Sequence, residues 1–242
     1  MRIRLALAFL VLSVSTVAAQ TIELDKLLPQ GGPVSGRIIQ LFFLITILSV
    51  APGILVMMTS FTRLAVALSF LRSGLGLQST PANLVMVSLA LFMTFFVMSP
   101  TFDRAWQTSV RPLMENSITE EEALNRIVVP FREFMLTQVR EKDLKLFRDL
   151  AGDRFGKADD PIPDMRLVIP AFMISELRRG FEIGFLIALP FLVIDLIVAT
   201  LTMSMGMMML PPSVISLPVK ILFFVLIDGW NLLVGSLVRS YN

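Results

Sequence analysis

The sequence predicts an all-α integral membrane protein with about four broken hydrophobic helices, paired as two helical hairpins around a small water-facing helical module. Three observations carry that expectation. Hydrophobic residues make up 55% of the chain and the mean hydropathy is +0.77, above the roughly 45–50% apolar content of soluble domains. Long stretches exclude charge altogether, as between Arg37 and Arg63. Thirteen of the 21 Lys and Arg, and fifteen of the 19 Asp and Glu, crowd into residues 103–182, so one window faces water and its flanks do not.

The same composition narrows the function. The formal net charge is +2 and the basic residues lie among acids without forming stripes, which gives nucleic-acid binding no footing. Neither Cys nor His occurs. Disulfides, thiolate nucleophiles, imidazole bases and nearly all transition-metal sites are therefore out of reach. No cofactor, metal or enzymatic chemistry is expected.

Taken in order, residues 1–19 read as a cleavable signal peptide: Arg2 and Arg4, an apolar core, then small residues ending at Ala19. Residues 20–36, with Pro29, Gly31, Gly32 and Pro33, read as an extracytoplasmic linker. The first hydrophobic hairpin covers 37–102. Its first segment is expected to break at Pro52 and Gly53, its connection to run from Arg63 to Arg72, and its second segment to be 83–99 (NLVMVSLALFMTFFVMS), ending at Pro100.

The hydrophilic helical module is 103–182. Thr119 and Glu122 have capping-box spacing, and Leu124, Ile127, Val128, Phe131, Phe134, Met135 and Val139 follow at helical intervals, with a bend expected at Pro130. A second helix from about Glu141 should end at Gly152. From Ile169-Pro170 a long helix runs on without interruption into the second hydrophobic hairpin, 183–242, which holds Pro190, Asp195, a Met-rich loop at 203–210 and a last segment carrying Asp228. Short loops with Arg63, Arg72 and Lys220 would place the cytoplasm on their side.

Several residues stand out chemically. Asp195 and Asp228 are carboxylates in apolar segments, which usually face a partner or a watery cavity. They fit a polar path, an inter-subunit contact, or a neutral acid at a segment end. Two intramembrane aspartates also raise an intramembrane aspartyl protease, but the Gly-x-Gly-Asp pattern of such enzymes is missing. Met203, Met205, Met207, Met208 and Met209 surround Gly206 just before Pro211-Pro212. Thioethers of this kind either fill a turn or form a deformable apolar seal. Pro52, Gly53 and Pro190 as helix breaks also admit a broken-helix transporter, although no inverted repeat supports one. Glu176, Arg178 and Arg179 are candidates for contacts between protomers or for a solvated helix face.

The runs 48–63 (LSVAPGILVMMTSFTR), 92–100 (FMTFFVMSP), 132–135 (REFM), 169–177 (IPAFMISEL), 203–210 (MSMGMMML), 228–230 (DGW) and 235–237 (GSL) resemble the FliP family of flagellar type III export-gate proteins. The resemblance covers nearly everything after residue 37. It implies a core subunit of the export gate in the bacterial inner membrane at the flagellar basal body, with periplasmic exposure of the helical module. It further implies a homo-oligomeric ring built with FliQ and FliR, working beside FlhA and FlhB on unfolded flagellar substrates. The Met-rich loop would line the narrowest part of the pore, making Met207, Met208 and Met209 a gasket. Injectisome homologues share these motifs and form the neighbouring alternative.

Overall fold

The computed structural model describes residues 34–77, 81–152, 154–155, 162–206 and 211–241. The expected signal peptide, residues 20–33 of the linker, and Met207 to Met209 lie outside the described residues. All regular elements described are helices. The chain divides into two compact units, Met1–Pro52 and Gly53–Asn242.

Helix α1, Val34–Met57, makes up the described part of the first unit and supplies the first residues of the second. Its start takes in the last three residues assigned to the linker. The Thr46 and Ser49 hydroxyls donate to the carbonyls of Phe42 and Ile45, 2.7 Å in each case, which hides their polar groups along an apolar helix. The phenyl rings of Phe42 and Phe43 meet edge to face at 6.5 Å. The helix does not break at Pro52 and Gly53 as expected. It ends at Met57, and non-helical residues follow at 58–60.

The second unit continues with α2 (Phe61–Gly74), α3 (Asn83–Ala105), a π turn (Trp106–Val110), α4 (Arg111–Met114), α5 (Glu120–Gln138), α6 (Glu141–Ala151), α7 (Met165–Ser204), α8 (Pro212–Leu226) and α9 (Gly229–Arg239). The stretch expected to be a short connection is thus the central helix α2. Leu64, Ala67, Leu68 and Leu71 recur at helical spacing and are at most 1% exposed. They pack with Met86, Ala90 and Met93 of α3, Phe191 of α7, Phe224 of α8, and Leu233 and Leu237 of α9. Burying each leucine is worth about 1.5–3 kcal/mol. The two arginines at 63 and 72 obscured this stripe in the sequence.

Proline ends fewer helices than expected. Helix α3 runs through Pro100, α5 through Pro130 and α7 through Pro190. Each ring removes one N–H and frees a carbonyl one turn earlier, a loss that neighbouring helices and hydroxyls make tolerable in apolar surroundings. The long helix α7 is continuous, as the pattern predicted. Its 40 residues span about 60 Å, twice the roughly 30 Å of a bilayer's hydrocarbon core.

By length and apolarity, two helical runs among the described residues can cross a membrane, Asn83–Met114 and Met165–Ser204. The pair α8 and α9, bent by 66°, raises the number to three if it acts as one span. The borders drawn at 102/103 and 182/183 fall inside α3 and α7. The hydrophilic module therefore shares helices with the apolar segments. It packs through two small clusters, one around Met98, Ala105 and Phe131, the other around Met135, Val168 and Phe172. Its local signals hold: the Glu122 amide donates to the Thr119 hydroxyl at 3.3 Å, and α6 gives way to Gly152 at its C-terminus.

Candidate functional site

Helices α2 and α7 run parallel in tight contact. The register is read from three points: Arg63 meets Glu176 and Gly180, Phe70 meets Gly184, and Gly74 meets Ala188. Small residues make the approach close, in the manner of the small-xxx-small pattern of membrane helices. A Cβ on Gly180 would come within 3.3 Å of the Arg63 Cα, and one on Gly184 within 2.7 Å of the Phe70 ring. The Gly180/Gly184 spacing was visible in the sequence, though its meaning depends on α2 being a helix.

At the top of this seam lies a fully buried ionic cluster. Arg63 and Glu176 are both 0% exposed and form a salt bridge. Arg63 Nε donates to Glu176 Oε2 at 3.1 Å, and Nη2 donates to Glu176 Oε1 and to Gln138 Oε1. Its Nη1 donates to the carbonyl and hydroxyl oxygens of Ser240, at 2.9 and 3.0 Å. These bonds use all five donors of a guanidinium. The cation also sits 3.7 Å from the centre of the Tyr241 ring, and the Tyr241 hydroxyl donates to Glu176 Oε2 at 2.6 Å. Helices α2, α5 and α7 and the C-terminal residues are thereby tied to one cation.

Glu176, expected on a solvated face or between protomers, is instead an internal ion. Arg63 is not a loop cation, so it drops out of the charge-asymmetry argument for topology. Its role had no local signature, because a charged residue in an apolar helix is legible only with its partner. Arg179 Nη1 donates to Gln138 Oε1 at 2.9 Å, at the edge of the same cluster. Arg178 pairs with Glu182 at 2.8 Å on the surface, both more than half exposed, a contact worth about 0–1 kcal/mol.

Further along α7 the polar chemistry changes character. Ser216 Oγ donates to Asp195 Oδ1 at 2.7 Å, while Lys220 Nζ donates to Asp195 Oδ2 at 2.5 Å and to the Gly74 carbonyl at 3.0 Å. Lys220 is 4% exposed and sits within α8, not in a cytoplasmic loop as expected. Asp195 keeps its side chain 41% exposed and opens on a cavity of about 680 Å³ shared with Ala199, Pro212 and Ser213. The aspartate left open in the sequence thus has its charge partner in the same chain.

Two turns past Asp195, α7 ends at Ser204. Met203 and Met205 are exposed, and Gly206 has φ +72°, a left-handed conformation that suits glycine and turns the chain towards the prolines. Asp228 lies at the joint between α8 and α9, also left-handed at φ +52°. Its carboxylate accepts from Asn231 Nδ2 at 3.2 Å, and its carbonyl accepts from the amides of Asn231 and Leu232. No hydrogen bond among the described residues links Asp195 with Asp228. The shared-proton pair that a protease would use is not formed there.

The module has its own polar anchor. The Ser175 hydroxyl of α7 donates to Asp143 Oδ2 at 2.6 Å, and Arg140 donates to both Asp143 oxygens. The Arg140 guanidinium, with help from Ser175, holds the Asp143 carboxyl below its ordinary value against the opposing effect of burial.

Sequence comparison adds to this geometry. The profile described as FliP family matches residues 44–237, which take in α2 through most of α9. The chain belongs to the FliP family. It is 65% identical over 213 residues to the flagellar biosynthetic protein FliP of Agrobacterium fabrum, covering 87% of this chain and 86% of that one. The FliP of Rhizobium meliloti is 63% identical over 226 residues, with 92% of each chain covered. That of Bacillus subtilis is 51% identical over 207 residues, covering 84% of this chain and 91% of the relative. In this FliP-family chain the matched region contains Arg63, Glu176, Asp195, Lys220 and Asp228, while Ser240 and Tyr241 close the buried cluster from just beyond it.

Proposed function

We propose that this chain is a core subunit of the flagellar type III protein export gate. In this reading it forms a homo-oligomeric ring with FliQ and FliR in the bacterial inner membrane and works beside FlhA and FlhB. It does no covalent chemistry and passes unfolded flagellar proteins towards the periplasm. One observation carries the reading: the FliP-family match runs through the membrane-crossing helices, the buried seam and the Met-rich end of α7 alike. The relatives' own names favour the flagellar branch over the injectisome one.

Burial supports assembly. Only 22% of the most apolar window of α7 is covered within one chain. The rest, including Phe185, Leu186, Leu192 and Leu196, must meet lipid or other subunits, because exposing such area to water costs about 25 cal/mol per Å². A helix twice as long as the bilayer is thick also suits an assembly that stands out of the membrane plane.

The methionines 203, 205 and 207–209 with Gly206 then form a seal in which flexible thioethers close against ions and yield to a passing chain. Deleting residues 207–209 should leave the assembled ring at its native mass but make the membrane permeable to small ions, read as growth inhibition and dye-reported potential loss. A membrane that stays tight with the deletion expressed and assembled rules out the seal.

A further inference from the structure

Asp228 has no charge partner among the described residues. It is exposed, and its carboxylate accepts only from the Asn231 side chain. The surrounding stretch 211–241, all of it described, holds two cations. Lys220 is bound to Asp195, and Arg239 lies eleven residues on, about 16 Å away along α9. A carboxylate in an apolar helical pair usually faces a partner.

Beside it the elbow between α8 and α9, bent by 66°, encloses an apolar cavity against α7. The space is about 320 Å³, walled by Ile187, Pro190, Phe191, Phe224, Leu232 and Leu233. Ile227 and Gly229, on either side of Asp228, belong to the same wall. Glycine is needed at 229, since a Cβ there would collide with the Phe224 ring. The wall's hydroxyl, on Ser236, is spent on the Leu233 carbonyl at 2.9 Å. Cavities with such a lining exclude water and accept hydrocarbon. At about ten water volumes this one takes a run of methylenes, not a helix about 10 Å across.

The elbow also sits at headgroup depth. Ile187 is five residues, about 7.5 Å, from Glu182, whose exposed pair with Arg178 marks where α7 leaves its apolar stretch. The headgroup layer on each side of the hydrocarbon core is about 5–8 Å thick. Trp230, half-exposed and edge-on to Phe224 at 5.3 Å, is of the residue type that gathers at that level.

We propose that this elbow binds a phospholipid with a primary-amine headgroup, its ammonium on Asp228 and one acyl chain in the cavity. The ammonium brings a positive charge and three donors to the carboxylate, whereas a glycerol head leaves the lipid phosphate unbalanced against it. The proposal goes beyond the gate reading and needs only that these helices lie in a membrane.

The test equilibrates full-length protein in mild detergent with equal amounts of phosphatidylethanolamine and phosphatidylglycerol and counts bound lipid by native mass spectrometry. Wild type should retain the ethanolamine lipid over the glycerol lipid by about three- to fivefold, and Asp228→Asn should bring that ratio close to one. Ser236→Phe, which fills the cavity, should remove most of the bound lipid of both kinds. Both positions are exposed, and asparagine tolerates the left-handed backbone at 228, so the fold survives these changes. Equal retention of the two lipids by wild type, or a ratio unchanged in Asp228→Asn, overturns the proposal. So does lipid binding untouched by Ser236→Phe. Loss of oligomers in Asp228→Asn with the lipid ratio unchanged overturns it in favour of a contact between Asp228 and a cation of a second chain.

Discussion

The two ends of α7 treat buried charge in opposite ways. At Glu176 the ion pair is sealed at 0% exposure, each guanidinium donor has an acceptor, and glycines press α2 against the helix on the next turns. At Asp195 the lysine is buried but the carboxylate is 41% exposed to a cavity, and the helix ends nine residues later, at Ser204, in a turn with exposed methionines. One end is over-determined by hydrogen bonds and close packing. The other is held by three hydrogen bonds, through Ser216, Lys220 and the Gly74 carbonyl, and runs on into exposed methionines. The proposed gate would use both, since a compliant seal must hang from a frame that does not move with it.

The frame should break with the largest effect. Removing one partner of a buried ion pair leaves an uncompensated charge and costs about 3–5 kcal/mol. Arg63→Ala or Glu176→Ala should therefore lower the unfolding free energy of the detergent-solubilised protein by about that amount. Arg63→Met with Glu176→Leu should recover a good part of it. The single and double variants form a cycle that measures the coupling. Equal losses at Glu176 and at the exposed Glu182, whose pair is worth about 0–1 kcal/mol, would mean that burial of this cluster confers nothing.

Much of the architecture was legible in the sequence. The run of one helix from Ile169-Pro170 into the apolar stretch ending near Met203 followed from the helical pattern, although the helix starts earlier, at Met165, and the start of α5 followed from Thr119 with Glu122. What could not be read was long-range pairing. Arg63 and Lys220 looked like loop cations because an isolated charge in an apolar run signals an interface with water, and only the partners at 176 and 195 change its meaning. Proline was misread for a related reason. Its cost is set by the neighbours that satisfy the freed carbonyl, so Pro52, Pro100 and Pro190 sit within helices that a local rule would have ended.

The Asp195 end should show an asymmetry of intermediate size. Asp195→Ala strands Lys220, which is 5% exposed on its side chain and keeps only the Gly74 carbonyl as acceptor. Lys220→Met instead strands Asp195, which reaches solvent and retains Ser216. The first variant should lose about 1–3 kcal/mol and the second distinctly less, as measured by thermal unfolding of the purified protein. Equal losses would show that the two groups are equally desolvated in the assembly and that the cavity beside Asp195 is filled there.

The smallest effect tests whether the hydrophilic module behaves like the Glu176 end or like the Asp195 end. Asp143 is tied to Arg140 and, through Ser175, to α7. Its folded pKa lies below the ordinary value of 3.8 because Arg140, and then Ser175, stabilise the charged form. For a carboxylate depressed on folding, the contribution to stability is complete above the unfolded pKa and disappears as pH falls through the folded one. The stability gap between wild type and Asp143→Asn should therefore be constant from about pH 7 to about pH 5 and narrow below about pH 4. A gap that narrows well above pH 4 would mean that Asp143 titrates at or above its ordinary value. The Arg140 tie would then add nothing, and α6 would be held to α7 by its apolar face alone.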